Sequence, residues 1–143
     1  MHTLKTIMVG VDGSPPSRKA LTWAAAEAAD HGANLVVLTV WHPTLLPPMG
    51  SGGVPPSPVP DPRQRATEDL LTVIKAELGE DPPMLVQPRV EQGHAAEVLI
   101  EHSADADLLV VGTRGRGGFK GLLLGSVSQH VAAYAKCPVT VVR

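Results

Sequence analysis

The chain has 143 residues, a formal net charge of −2, 3% aromatic residues and a single cysteine, Cys137. That length suits one domain over residues 1–143, with a sizeable core and little room for a second. The charge offers no basic field for nucleic acid, so few aromatics make no stacking platform for single strands, and one cysteine excludes an internal disulfide or a cysteine-built metal site. Cys137 lies just before the last strand-like run and reads as a small buried hydrophobe. Met1 to Lys5 leads directly into strand-like sequence. There is no signal-peptide pattern and no apolar run of membrane-spanning length, so the expectation is a soluble cytoplasmic protein without a membrane partner.

In chain order, Thr6 to Val11 is apolar and β-branched, and reads as a buried strand. It ends at Asp12-Gly13-Ser14-Pro15. Ser14 can cap a helix whose first residue is Pro15, where the missing proline N–H costs nothing. That helix runs to His31, and Gly32 supplies its stop. Leu35 to Val40 is a second apolar strand. Trp41 to Pro62 carries eight of the fourteen prolines, which no helix or central strand tolerates. It reads as a surface loop or as a lid over a ligand. Arg63 to Leu78 has a helical apolar stripe (Ala66, Leu70, Val73, Ile74, Leu78) and stops at Gly79. Met84 to Val90 is a third strand, and Pro88 within it marks a sheet edge. Ala95 to Ser103 is a short helix, Leu108 to Val111 a fourth strand, Ser126 to Ala135 a last helix and Cys137 to Val142 a fifth strand. Strict alternation with fully apolar strands implies a parallel sheet with helices on both faces.

Between the fourth strand and the last helix the chain becomes glycine-rich and cationic: Gly112-Thr113-Arg114-Gly115-Arg116-Gly117-Gly118, then Lys120, and finally Gly125-Ser126-Val127-Ser128. Glycines let backbone N–H groups wrap an anion, and a helix start adds unpaired N–H groups, so this order of parts makes a phosphate cradle. Arg114, Arg116 and Lys120 supply charge or are solvated loop cations. Ser126 and Ser128 can donate hydroxyls, and Ser126 also fits a capping box with Gln129. The P-loop pattern is absent, and no Gly-x-Gly-x-x-Gly opens a helix after the first strand. His94, Glu97 and Glu101 read as a solvated helix face and not as a metal site.

Gly112-x-x-Gly115, nine residues and then Gly125-Ser126, together with Val9-Gly10-Val11-Asp12-Gly13-Ser14 and Leu38-Thr39-Val40, resembles the ATP-binding branch of the universal stress protein family over essentially the whole chain. The resemblance implies the adenine-nucleotide α-hydrolase-like fold, an α/β, doubly wound, five-stranded parallel sheet ordered 3-2-1-4-5. In that order strands 1 and 4 are neighbours at a switch point, where ligands bind beyond the carboxyl ends of strands. The implied ligand is ATP. Val40 would offer backbone groups to the adenine edge, and Asp12 would sit by ribose and phosphates. A carboxylate beside a triphosphate calls for a sugar hydroxyl or a bridging Mg²⁺, so Asp12 lies near any metal only through ATP. The alternative for Asp12 is a turn residue bonded to its own backbone. The implied binding set is Gly10, Asp12, Ser14, Val40, Gly112, Thr113, Arg114, Gly115, Arg116, Gly117, Gly118, Gly125, Ser126, Val127 and Ser128.

No catalytic base or nucleophile stands out beside the loop. The reading is therefore a binding module that uses ATP occupancy as a stress regulator or sensor. The rival readings are a weak ATPase or an enzyme phosphorylating itself at Ser126 or Ser128, and a nucleotide-independent scaffold. The resemblance also implies a homodimer through the last strand, Val139 to Val142, a short apolar edge that seeks a partner.

Overall fold

The computed structural model describes residues 3–43, 61–114 and 124–143. Among these described residues five strands, β1 (Thr6–Gly10), β2 (Asn34–Trp41), β3 (Val86–Gln92), β4 (Leu108–Gly112) and β5 (Val139–Val142), alternate with four α-helices. These are α1 (Pro15–His31), α2 (Pro62–Leu78), α3 (Ala95–His102) and α4 (Ser126–Tyr134), with one 3₁₀ turn at Ser103–Asp105. Every strand pair is parallel, and the order is β3-β2-β1-β4-β5, as the resemblance implies. Parallel strands need long crossovers, and the helices provide them on both faces.

Strand alternation sorts the core into two layers. Ile7, Val9, Leu35, Val37, Leu108 and Val110 face α1 and α2. Met8, Val36, Leu38, Leu109 and Val111 face α3 and α4. Each fully buried aliphatic side chain contributes about 1.5–3 kcal/mol, so both layers are needed for a sheet of this size. Small residues on α1 (Ala20, Ala24, Ala28), all fully buried, let that helix lie close against the central strands.

The helix start at Ser14 and stop at Gly32 fall where the sequence puts them. Ser14 Oγ accepts the Ser17 N–H at 3.4 Å, and Gly32 adopts the left-handed conformation at φ 64°. Pro88 does lie on an edge strand. Other boundaries move. Trp41 belongs to β2, and Pro62 opens α2 under an Asp61 cap, so the irregular stretch is shorter at both ends than its prolines suggest. Its interior, 44–60, and with it the lid alternative, lies outside the described residues. The third strand slides to Val86–Gln92 because it pairs in register with Leu35–Trp41. The fifth begins at Val139, after Pro138.

Cys137 is half-buried and not buried as its composition suggests, because it sits in the turn before β5 instead of inside it. Burial first, and then the Asp107 carboxylate, push its thiol pKa up. Among the described residues no helix is long and apolar enough to cross a membrane.

Candidate functional site

At the carboxyl end of β1 the chain turns sharply, and side chains fix the turn. Val11 N–H donates to the Leu38 carbonyl at 2.9 Å, and the Thr39 hydroxyl donates to the Val11 carbonyl. Asp12 Oδ1 accepts from the Ser14 N–H at 2.9 Å and from the Ser14 hydroxyl. Asp12 therefore makes the Asx-type turn that is the alternative reading of it. That grip lies on one carboxylate oxygen, and the residue itself stays exposed at the mouth of a crevice.

Two close approaches shape the neighbouring strand ends. A Cβ on Gly112 would lie 2.8 Å from the Pro16 backbone C and O, so only glycine lets the start of α1 rest on β4. A Cβ on Gly10 would lie 3.1 Å from both Leu99 methyl carbons, so the bare α-carbon there admits Leu99 of α3.

On the β4 side, the two ends flanking 115–123 are tied together. Gly125 N–H donates to the Thr113 carbonyl at 2.6 Å, and the Ser128 hydroxyl donates to the Gly112 carbonyl at 2.5 Å. Gly125, not Ser126, is the N-cap of α4, and no side chain caps that end. The capping box is thus corrected: Ser126 is the first helical residue and is exposed, and the Gln129 amide donates to the Leu124 carbonyl at 3.0 Å instead. An end without a side-chain cap leaves first-turn N–H groups to other acceptors.

Between these two turns lies a crevice, open to solvent, on the α3/α4 side of the switch between β1 and β4. Of the residues the sequence singles out, Gly10, Asp12, Val40, Gly112, Arg114, Val127 and Ser128 line it together. Ser14 is buried under the turn as the α1 cap, and Thr113 and Gly125 hold each other. Ser126 is turned to solvent. Ser128 reaches the wall, but its proton is directed to Gly112 and not outward. Gly115, Arg116, Gly117, Gly118 and Lys120 lie outside the described residues.

Sequence reasoning missed Leu38, Val111, Ala95, Leu99 and Ser17, which also line the crevice. The i, i+4 spacing of Ala95 and Leu99 was a usable signal for one face of α3. Among the described residues, the result is an apolar slot lined also by one carboxylate, Asp12, and one arginine, Arg114. Such a lining suits a flat heterocycle inside and a sugar and phosphate outside. Among the described residues no group of three or more potential metal ligands is present. The exposed Glu97 and Glu101 agree with a solvated helix face.

The model of the universal stress protein family matches residues 3–143. A universal stress protein of Mycolicibacterium smegmatis is 41% identical over 139 residues, covering 96% of this chain and 45% of that protein. The chain thus spans about half the length of the mycobacterial relatives that are 36–41% identical to it. Among solved structures, universal stress protein UspA from Lactobacillus plantarum has a TM-score of 0.77 at 21% identity, covering 100% of both chains. A universal stress protein solved in complex with cAMP has a TM-score of 0.68 at 29% identity, covering 99% of this chain and 98% of its own. By this family match over nearly its whole length, and with the strand order, switch-point crevice and glycine spacing that accompany it, the chain belongs to the universal stress protein family, with its adenine-nucleotide α-hydrolase-like fold.

Proposed function

We propose that this chain binds an adenine nucleotide in the crevice between β1 and β4, with ATP as the ligand, and that occupancy serves a regulatory role in a stress response. The observation that carries the reading is the convergence of two distant stretches on one crevice. Asp12 and Gly10 come from the first turn, Gly112, Arg114 and Ser128 from the phosphate-type loop and helix. The apolar walls take the base, Val40 offers its backbone to the adenine edge, and Asp12 lies where a ribose hydroxyl or an ATP-borne Mg²⁺ would be met. Arg114 supplies a planar fork of donors for phosphate.

Binding, not turnover, is the activity this lining supports. Asp12 is the sole carboxylate among the described lining residues, and its Oδ1 is engaged by Ser14. Phosphoryl transfer needs a positioned nucleophile or base as well as charge stabilisation. Hydrolysis is therefore expected to be slow. A cyclic adenine nucleotide is the second reading, supported by the relative solved with cAMP. The same slot and Asp12 would hold its base and sugar, and fewer loop contacts would be used.

The test is to denature the purified protein and identify what it releases, then to titrate ATP, ATP with Mg²⁺ and cAMP into the emptied protein. Asp12→Ala and Gly115→Glu serve as comparisons. Released adenine nucleotide from the native protein, lost from both folded variants, supports the reading. Native protein that releases none and binds none leaves the scaffold reading in its place.

A further inference from the structure

The mouth of the crevice contains a second hydroxyl that the sequence does not single out. Ser17 occupies the third position of α1, is 5% exposed and lines the crevice. Its Oγ accepts the Asp12 N–H at 3.3 Å and donates to the Ser14 carbonyl at 2.9 Å. Its own N–H donates to Ser14 Oγ at 3.4 Å, and that same Oγ donates to Asp12 Oδ1. The three residues form a closed ring of bonds: Ser17 holds the Asp12 main chain, and Ser14 holds the Asp12 carboxylate. A serine hydroxyl has one proton to give, and here it goes to the Ser14 carbonyl. Ser17 therefore cannot donate to a ligand while it supports the turn.

Resting on the nucleotide reading above, we infer that Ser17 is a positioning residue for ribose recognition, acting through Asp12 and not by touching the ligand. Without the Ser17 hydroxyl the Asp12 amide loses this partner at the edge of the crevice, and the turn gains freedom to rotate. The carboxylate is then no longer pre-set where a sugar hydroxyl arrives, and binding must bear the cost of ordering it. The effect belongs to the sugar-reading contact, so ligands lacking ribose hydroxyls are indifferent to it.

The experiment is a calorimetric titration of ATP and of 2′,3′-dideoxy-ATP into four proteins: native, Ser17→Ala, Asp12→Ala and the double variant. Ser17→Ala is expected to weaken ATP binding about threefold to tenfold, the size of one lost neutral hydrogen bond, and to leave dideoxy-ATP binding unchanged. In the Asp12→Ala background Ser17→Ala is expected to change nothing further. Ser17→Cys, close in size but a weak acceptor for the Asp12 N–H, is expected to follow Ser17→Ala and serves in its place should the alanine variant not fold. Native binding of ATP by Ser17→Ala, an equal loss on both nucleotides, or costs that add to those of Asp12→Ala would each overturn the inference while leaving the nucleotide site intact. Failure of the native protein to bind ATP at all would instead remove the reading on which it rests.

Discussion

At the scale of single residues, two glycines beside the crevice have different jobs, and substitution separates them. Alanine at Gly112 meets Pro16 backbone atoms at 2.8 Å, and backbone at the start of a helix cannot step aside cheaply. Gly112→Ala is expected to cost about 1–3 kcal/mol of stability, read as a lower midpoint in urea at unchanged slope. Alanine at Gly10 meets only the two methyl carbons of Leu99 at 3.1 Å, and a leucine side chain can turn. Because Leu99 lines the crevice, its displacement narrows the slot. Gly10→Ala is therefore expected to change the urea midpoint less than Gly112→Ala and to weaken nucleotide binding more than its stability cost implies. Restoring binding by Leu99→Val in the same chain checks that route. Both glycines are conspicuous in the sequence as site residues, but their physical purpose is not. That purpose depends on which helix passes over each strand end, and the pairing of Gly10 with Leu99 spans most of the chain.

At the scale of elements, the start of the central strand pair is held by one carboxylate. Asp107 Oδ2 accepts the Lys5 and Thr6 N–H groups at 2.9 Å each, and its own N–H donates to the Thr6 carbonyl at 2.9 Å. These bonds from backbone N–H, Thr6 first and then Lys5, hold its pKa below the usual carboxylate range. A depressed carboxylate contributes stability that is fully present above its unfolded pKa and is lost as pH falls through the folded one. Asp107→Asn is expected to be less stable than the native protein at neutral pH, and that gap is expected to begin to narrow below about pH 4, as the pH falls towards the depressed folded pKa. Melting curves of the two proteins from pH 7 to pH 3 check it, and a gap constant across that range would remove the clamp. Asp107 is legible in the sequence only as a polar lead into the fourth strand. Its partner is a strand start more than a hundred positions away. Strands and helices themselves are legible because burial on both faces and 3.6-residue periodicity are local signals. The slips have non-local causes: β3 takes its bounds from pairing with β2, and α4 takes its cap from a Gly125–Thr113 bond across the loop.

At the scale of the whole molecule, the sheet has two edges and they are unlike. The β3 edge carries Pro88, Arg89 and Glu91, a proline and charges that discourage a further strand. The β5 edge, Val139-Thr140-Val141-Val142, has neither, and all four residues are only partly buried. An apolar parallel sheet ending on such a strand leaves a row of backbone groups and valine surface for a partner. A second copy of the chain fits that need by symmetry, since a two-fold interface requires only that one patch meet itself. The native protein is therefore expected to sediment as a dimer at micromolar concentration. Thr140→Lys places two like charges near the axis of such an interface and is expected to shift the population to monomer. Gln87→Lys, the same change on the β3 edge, is expected to leave the dimer unaltered. Sedimentation velocity on the three proteins, with thermal melts to confirm folding, decides between the edges. A native monomer would show that β5 tolerates exposure. Dissociation by Gln87→Lys and not by Thr140→Lys would place the contact on the opposite side of the sheet, despite the proline and charges there.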